Sequence, residues 1–177
     1  MKKNICKIVC ILFVILLYSG NIYCDEYKLG AGDSIEFSVF DEPDMRVPKL
    51  HISKVGKVSF PYIGDIKVVG LTVRKLKKLL VKRYKDGYLK NPQIVINIIS
   101  YRPFFVNGEV SSPGGYPYVE GLTIRKAIAI AGGLTDRASL KKVSLMSESS
   151  SNVRRLKKSL DVSMKPGDIL TIGEALF

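Results

Sequence analysis

Side chains suited to covalent or metal chemistry are scarce in this chain of 177 residues. One histidine, His51, stands inside the strand-like run KLHIS, and the three cysteines, Cys6, Cys10 and Cys24, all fall within the first 24 residues. A nucleophilic dyad or a transition-metal site needs several such groups to converge. His51 is therefore expected to be structural, and no metal or cofactor is expected. Asp41, Glu42 and Asp44 could supply paired carboxylates for general acid–base work, but they flank Pro43, and a solvated turn accounts for them. Gly30-Ala31-Gly32-Asp33 is not a phosphate loop, because no Lys-Ser/Thr follows and the next element is a strand. The residues point to a non-enzyme, with no catalytic residue assigned.

Charge is the next possible source of function. The chain has 28 Lys+Arg against 16 Asp+Glu, a net charge of +12. Without Lys2, Lys3 and Lys7, which precede an apolar run, 25 basic and 16 acidic residues remain and leave +9. Arg74, Lys75, Lys77, Lys78, Lys82, Arg83 and Lys85 crowd one predicted helix. They form either the solvated face of an amphipathic helix or an electrostatic surface for acidic polysaccharide, anionic lipid or a partner subunit. Nucleic acid is not expected, since no aromatic–basic interleaving of the stacking type occurs.

Lys2 and Lys3 lead into the uninterrupted apolar run Ile8–Tyr18, followed by Ser19-Gly20-Asn21. That run is short of the roughly 20 residues a bilayer span takes, so residues 1–24 predict a secretory signal. An uncleaved anchor from Ile8 to Tyr23 is the alternative. Cys24 stands where a bacterial lipoprotein carries its lipidated cysteine. Asn21-Ile22-Tyr23 departs from the small residues of a lipobox, which leaves ordinary cleavage equally open. Once the signal is removed, no cysteine pair remains for a disulfide or a thiolate metal site.

The exported part divides into two α+β units. In Ser34–Phe40, Ile35, Phe37 and Val39 alternate onto one face, as a half-buried strand requires. Strand-like runs follow at Lys49–Ser53, Lys57–Phe60 and Asp65–Val69. Thr72 caps a predicted helix Val73–Asp86, with Leu76, Leu79, Leu80 and Tyr84 at helical spacing and Gly87 as its stop. Pro92 opens the strand Gln93–Ser100, and the unit ends near Tyr101-Arg102. The second unit starts at Pro103 with FFVNGEV, turns at Ser112–Gly115 and continues into a predicted strand Tyr116–Val119. Thr123 caps a helix Ile124–Ala131 that stops at Gly132-Gly133, where positive φ is expected. Strands are expected at Lys142–Met146 and Val153–Leu156, joined by a polar turn Ser147–Asn152. The turn Met164–Asp168 feeds a last strand, Ile169–Ile172. One short helix across several short strands is a β-grasp-like pattern.

In order along the chain, these motifs resemble the polysaccharide export protein family of Gram-negative bacteria. Tyr27-Lys28-Leu29-Gly30-Ala31-Gly32-Asp33 is similar to the family's opening Y-x-L-G-P-G-D, with Ala31 in the proline position. Pro61 and Gly64 match its P-x-x-G element, Gly70-Leu71-Thr72 its G-L-T, and Asn91-Pro92-Gln93-Ile94-Val95 its N-P-x-V. The second half resembles the soluble-ligand-binding β-grasp (SLBB) module. It does so through Val106-Asn107-Gly108-Glu109-Val110, Pro113-Gly114, Gly121-Leu122-Thr123, Ala131-Gly132-Gly133-Leu134-Thr135 and Pro166-Gly167-Asp168. Most of these residues form turns and caps, and the role expected of them is structural.

The resemblance implies a signal at 1–24, an export domain at 25–102 and an SLBB module at 103–177. It also implies a non-enzymatic subunit of a conduit that exports capsule or exopolysaccharide across the periplasm and outer membrane. Implied partners are polysaccharide, further copies in a homo-oligomeric ring, an inner-membrane polysaccharide co-polymerase and outer-membrane components. The resemblance also implies an outer-membrane pore formed by a C-terminal amphipathic helix from each subunit. Here Gly173-Glu174-Ala175-Leu176-Phe177 is too short to span, so this polypeptide alone is not expected to line the pore. A periplasmic carbohydrate-binding or scaffold module without a conduit role is the alternative. Gel filtration separates the two, a ring-sized oligomer favouring the conduit and a glycan-binding monomer the module.

Overall fold

The computed structural model describes residues 26–147, 150–156 (as a backbone path) and 160–175. The predicted signal and Cys24 lie outside these residues. The architecture is α+β, with two apolar cores, one drawn from residues between Leu29 and Ile96, the other between Phe104 and Ile172.

In the first part, β1 (Ser34–Val39) is the centre of an antiparallel sheet in the order β2-β1-β5, flanked by β2 (Glu42–His51) and β5 (Ile94–Ser100). A separate hairpin is made by β3 (Lys57–Phe60) and β4 (Gly64–Lys67). Helix α1 (Val73–Lys85) buries Leu76, Leu80 and Tyr84, with Thr72 as N-cap accepting from Lys75 N. The alternation in β1 does what the pattern predicts, since Ile35, Phe37 and Val39 are buried together. Phe37 stacks on Tyr84 at 5.9 Å and meets Phe60 edge-on at 5.2 Å. The Tyr84 hydroxyl donates to Pro61 O at 2.9 Å. One aromatic cluster thus joins helix, hairpin and sheet, and burial pushes the Tyr84 phenol up to about 12.

The second part holds β6 (Phe104–Gly108), β7 (Gly114–Tyr116), α2 (Ile124–Ile130), β8 (Ala138–Ser147), β9 (Ser150–Leu156) and β10 (Ile169–Glu174). Its sheet order is β7-β6-β10-β8-β9, with β6 and β10 parallel at the centre and every other pair antiparallel. A helix between the first hairpin and the third strand, with the first and last strands side by side, is the β-grasp arrangement expected from sequence. Gly132 and Gly133 follow α2 at φ 81 and 89. A Cβ on Gly108 would collide with the Ile172 carbonyl, so the parallel pair closes only over glycine.

Some elements differ from expectation. Glu42, Pro43 and Asp44 do not form a turn but open the ten-residue β2. Pro43 and Pro48 are tolerated because β2 is an edge strand whose register against β1 shifts twice. The strand expected at Tyr116–Val119 is instead β7, at Gly114–Tyr116. Its pairing with β6 sets Gly115 opposite Phe105, and a Cβ there would come within 2.9 Å of the ring. The turn between β8 and β9 is narrower than the expected Ser147–Asn152, since the strands themselves run to Ser147 and from Ser150.

Candidate functional site

Two buried carboxylates flank the link between the two cores, and one of them pairs with its arginine. Asp33 closes the turn before β1, its Oδ2 accepting from Gly30 N at 2.8 Å. Asp168 closes the turn before β10 in the same way, accepting from Lys165 N at 2.8 Å. Both are almost fully buried, at 0% and 3% exposure. Between them runs the link Tyr101-Arg102-Pro103. Arg102 N donates to Asp33 Oδ1 at 2.9 Å, and its guanidinium lies 3.4 Å from both carboxylate oxygens. That guanidinium also donates to the Tyr27 hydroxyl at 2.8 Å, which in turn donates to Asp33 at 2.5 Å. A Cβ on Gly30 would collide with the guanidinium, which explains why glycine stands there. The turn before β10 docks on the same link, with Gly167 N donating to Pro103 O at 3.1 Å.

Aromatic rings continue the joint. Tyr27 meets Tyr101 edge-on at 5.0 Å, and Tyr101 meets Tyr118 at 5.3 Å. The Tyr101 hydroxyl donates to Glu120, and that of Tyr118 to Met164 O. Burial, with Asp33 and Glu120 respectively behind it, holds the Tyr27 and Tyr101 phenols well above their usual range. Burial likewise raises the Asp168 carboxyl, against the Lys165 amide, Ser147 and the charge of Arg102. Asp33 is wholly buried and its carboxylate is engaged by the Gly30 and Arg102 amides, the Arg102 guanidinium and the Tyr27 hydroxyl. This is the chemistry of a strut rather than of an acid–base pair. Beside the strut, Ala31, Gly32, Pro103, Phe105, Met146 and Ile169 line an open cleft of about 510 Å³.

The predicted motif residues separate into two groups. Gly30, Gly32, Asp33, Pro166, Gly167 and Asp168 gather at the joint or its flanking turns. The others are spread over turns of the two cores. Pro61 and Gly64 turn the β3–β4 hairpin, Gly70 precedes α1 and Pro92 lies buried before β5. Gly108 ends β6, Pro113 and Gly114 lead into β7, and Gly132 and Gly133 follow α2. His51 sits exposed at the end of β2, its Nδ1 3.5 Å from Ser34 Oγ. Among the described residues no three His, Cys, Asp or Glu side chains are placed to hold a metal ion. Sequence reasoning passed over Tyr27, Tyr101, Arg102 and Tyr118 as site residues. Their one signal was an aromatic–basic pair at the boundary between two strands.

The cations of α1 are all exposed. Arg74 pairs with Glu26 at 3.0 Å, both partners well exposed. Lys75, Lys77, Lys78, Lys82 and Arg83 have no side-chain partner among the described residues. The first turn contains no acidic residue. Lys28 extends the basic surface at the N-terminal end, where its backbone bridges Thr72.

Comparison with known proteins gives two family matches in succession. Residues 24–99 match the model described as polysaccharide biosynthesis/export protein, and residues 103–155 match the SLBB domain. The chain is 32% identical over 121 residues to the exopolysaccharide production protein ExoF of Rhizobium meliloti (strain 1021), covering 62% of this chain and 29% of ExoF. It is 27% identical over 133 residues to the EPS I polysaccharide export outer membrane protein EpsA of Ralstonia solanacearum, covering 61% and 35%. Over 111 residues it is 26% identical to the polysialic acid transport protein KpsD of Escherichia coli, covering 62% and 20%. The chain therefore spans about a third or less of the length of these curated relatives.

Proposed function

The chain belongs to the polysaccharide biosynthesis/export protein family and carries an SLBB domain after its export domain, and from that premise we propose that it is a non-enzymatic subunit of a polysaccharide export conduit. The observation that carries this reading is the succession of the two family matches along one chain. The names of ExoF, EpsA and KpsD, which concern exopolysaccharide production, polysaccharide export and polysialic acid transport, support the same direction.

In this proposal residues 1–24 direct export, with Cys24 as a candidate site of lipid attachment, and the export domain (25–102) and SLBB module (103–177) work outside the inner membrane. No helix among the described residues is long and apolar enough to cross a bilayer. Further copies of the chain, an inner-membrane polysaccharide co-polymerase and outer-membrane components complete the conduit, which delivers capsule or exopolysaccharide across the periplasm and outer membrane. Deleting the gene and staining for surface polysaccharide tests this. Loss of surface polysaccharide, restored by the wild-type chain, is expected, and unchanged surface polysaccharide overturns the reading. Fractionation of cells carrying Cys24→Ala tests the anchor, since a lipidated chain moves from the membrane to the soluble periplasmic fraction.

A further inference from the structure

We propose that the outer face of α1, with the Tyr62–Tyr88 pair at its C-terminal end, is a docking track for an anionic polysaccharide. The proposal rests on the export reading and adds the charge of the substrate and the surface that meets it.

Fold stability accounts for only part of the charge on α1, since Lys82, Arg83 and Lys85 in the last turn suit the negative end of the helix dipole but the cations before them do not. Leu76, Leu80 and Tyr84 face the core, while Arg74, Lys78, Lys82 and Lys85 recur at steps of four, four and three along the opposite side. At 1.5 Å per residue they form a stripe roughly 17 Å long, with Lys75 beside it. A helix that needs only a solvated face normally mixes charge signs. Here Arg74/Lys78 and Lys78/Lys82 are like-charged at i,i+4, which destabilises an isolated helix by a few tenths of a kcal/mol per pair. Arg74 and Lys75 also oppose the positive end of the helix dipole. Glu26 offsets Arg74 alone.

A second, independent observation distinguishes a glycan from other polyanions. Tyr62 is 66% and Tyr88 55% exposed, and their ring centroids lie 6.4 Å apart. Tyr88 follows the helix directly, its N donating to Tyr84 O at 3.1 Å, while the Tyr84 hydroxyl holds the carbonyl of Pro61, next to Tyr62. Tyr62 adopts φ 63, a conformation a bulky residue takes only when its surroundings impose it. Two exposed rings held in place at the end of a cationic stripe suit sugar rings, whose C–H faces pack on aromatics while their carboxylates meet the lysines. A membrane surface fits less well, because the apolar side of α1 is already buried in the protein's own core and none is left to enter lipid.

The test measures binding of the full chain, purified in mild detergent, to polygalacturonate, with dextran as neutral control. Binding to polygalacturonate should exceed binding to dextran and should fall as salt rises from about 0.05 to 0.3 M. The triple variant Lys78→Gln/Lys82→Gln/Lys85→Gln should weaken it by about tenfold or more. The control Lys49→Gln/Lys141→Gln/Lys142→Gln, with the same change in net charge, should stay within about twofold. Tyr62→Asn/Tyr88→Ser should weaken binding several-fold while leaving the salt dependence unchanged. Equal losses in the two lysine variants, equal affinity for dextran, or salt-independent binding of the wild type would each overturn the track. So would displacement of polygalacturonate by micelles containing phosphatidylglycerol at lower anion concentration, which would assign the stripe to membrane. The salt and dextran measurements use wild type and hold even if a variant fails to fold. Failure of these assays in a strain that still needs the chain for surface polysaccharide removes the track and leaves the export reading standing.

Discussion

Arg102 ties the turn before β1 to the link between the two cores. Its guanidinium faces Asp33, which is wholly buried, and is itself only 16% exposed. Removing one partner of a buried ion pair strands the other, at a cost of roughly 3 kcal/mol. Arg102→Met should therefore lower the unfolding free energy measured in urea by an amount of that order, and Gly30→Ala should act in the same direction by displacing the guanidinium. Asp168 behaves differently with pH. Burial raises its carboxyl above the ordinary 3.8, so the fold binds the proton more tightly than the unfolded chain does. Its contribution to stability is complete below about pH 3.8 and is lost as the pH climbs through the folded-state value. Asp168→Asn, which keeps an acceptor for the Lys165 amide, should gain on wild type in thermal melts as the pH rises from about 4 to 7. Asp161 has the opposite sign, because Arg125 lowers its carboxyl and its contribution fades as the pH falls.

At the level of elements, local chemistry made α1 and α2 legible from sequence. Thr72 and Thr123 stand at the N-caps, and the apolar spacing in each helix faces its core. Thr72→Ala should cost about 1 kcal/mol in thermal or urea unfolding. The start of strand β2 was hidden because Glu42, Pro43 and Asp44 read as turn chemistry, whereas an irregular edge strand accommodates them. β7 was misplaced because glycines usually mark turns, and here Gly115 is needed beneath a ring from the neighbouring strand. Such a requirement depends on a partner strand, and no local window contains it. Gly108 is the element-scale site least able to change. Gly108→Ala puts a methyl against the Ile172 backbone at φ 87 and should cost at least about 2 kcal/mol in urea unfolding.

At the scale of the whole molecule, the joint was the least legible part. Asp33 and Arg102 lie far apart in sequence, and their pairing appears only once β1 and β5 lie side by side with Ser34 opposite Ser100. The family motifs had singled out Asp33 and Asp168 without showing that the turns they close both dock on the Tyr101–Pro103 link. Loosening the joint should leave each core intact while changing the envelope. Tyr101→Ala/Arg102→Ala is expected to raise the radius of gyration in small-angle scattering and to open a protease site near residues 100–103. An unchanged radius would mean that other contacts set the relation between the cores.

Strand β10 lies between β6 and β8, so the second sheet lacks its central member until residues 169–174 have been made. During synthesis β6 and β8 each wait with an unpaired edge, and the apolar faces of Phe104, Val106, Val143 and Leu145 have no finished layer to close them. A nascent chain of this design cannot complete its second core early. Any interruption before residue 169 leaves two adhesive edges behind.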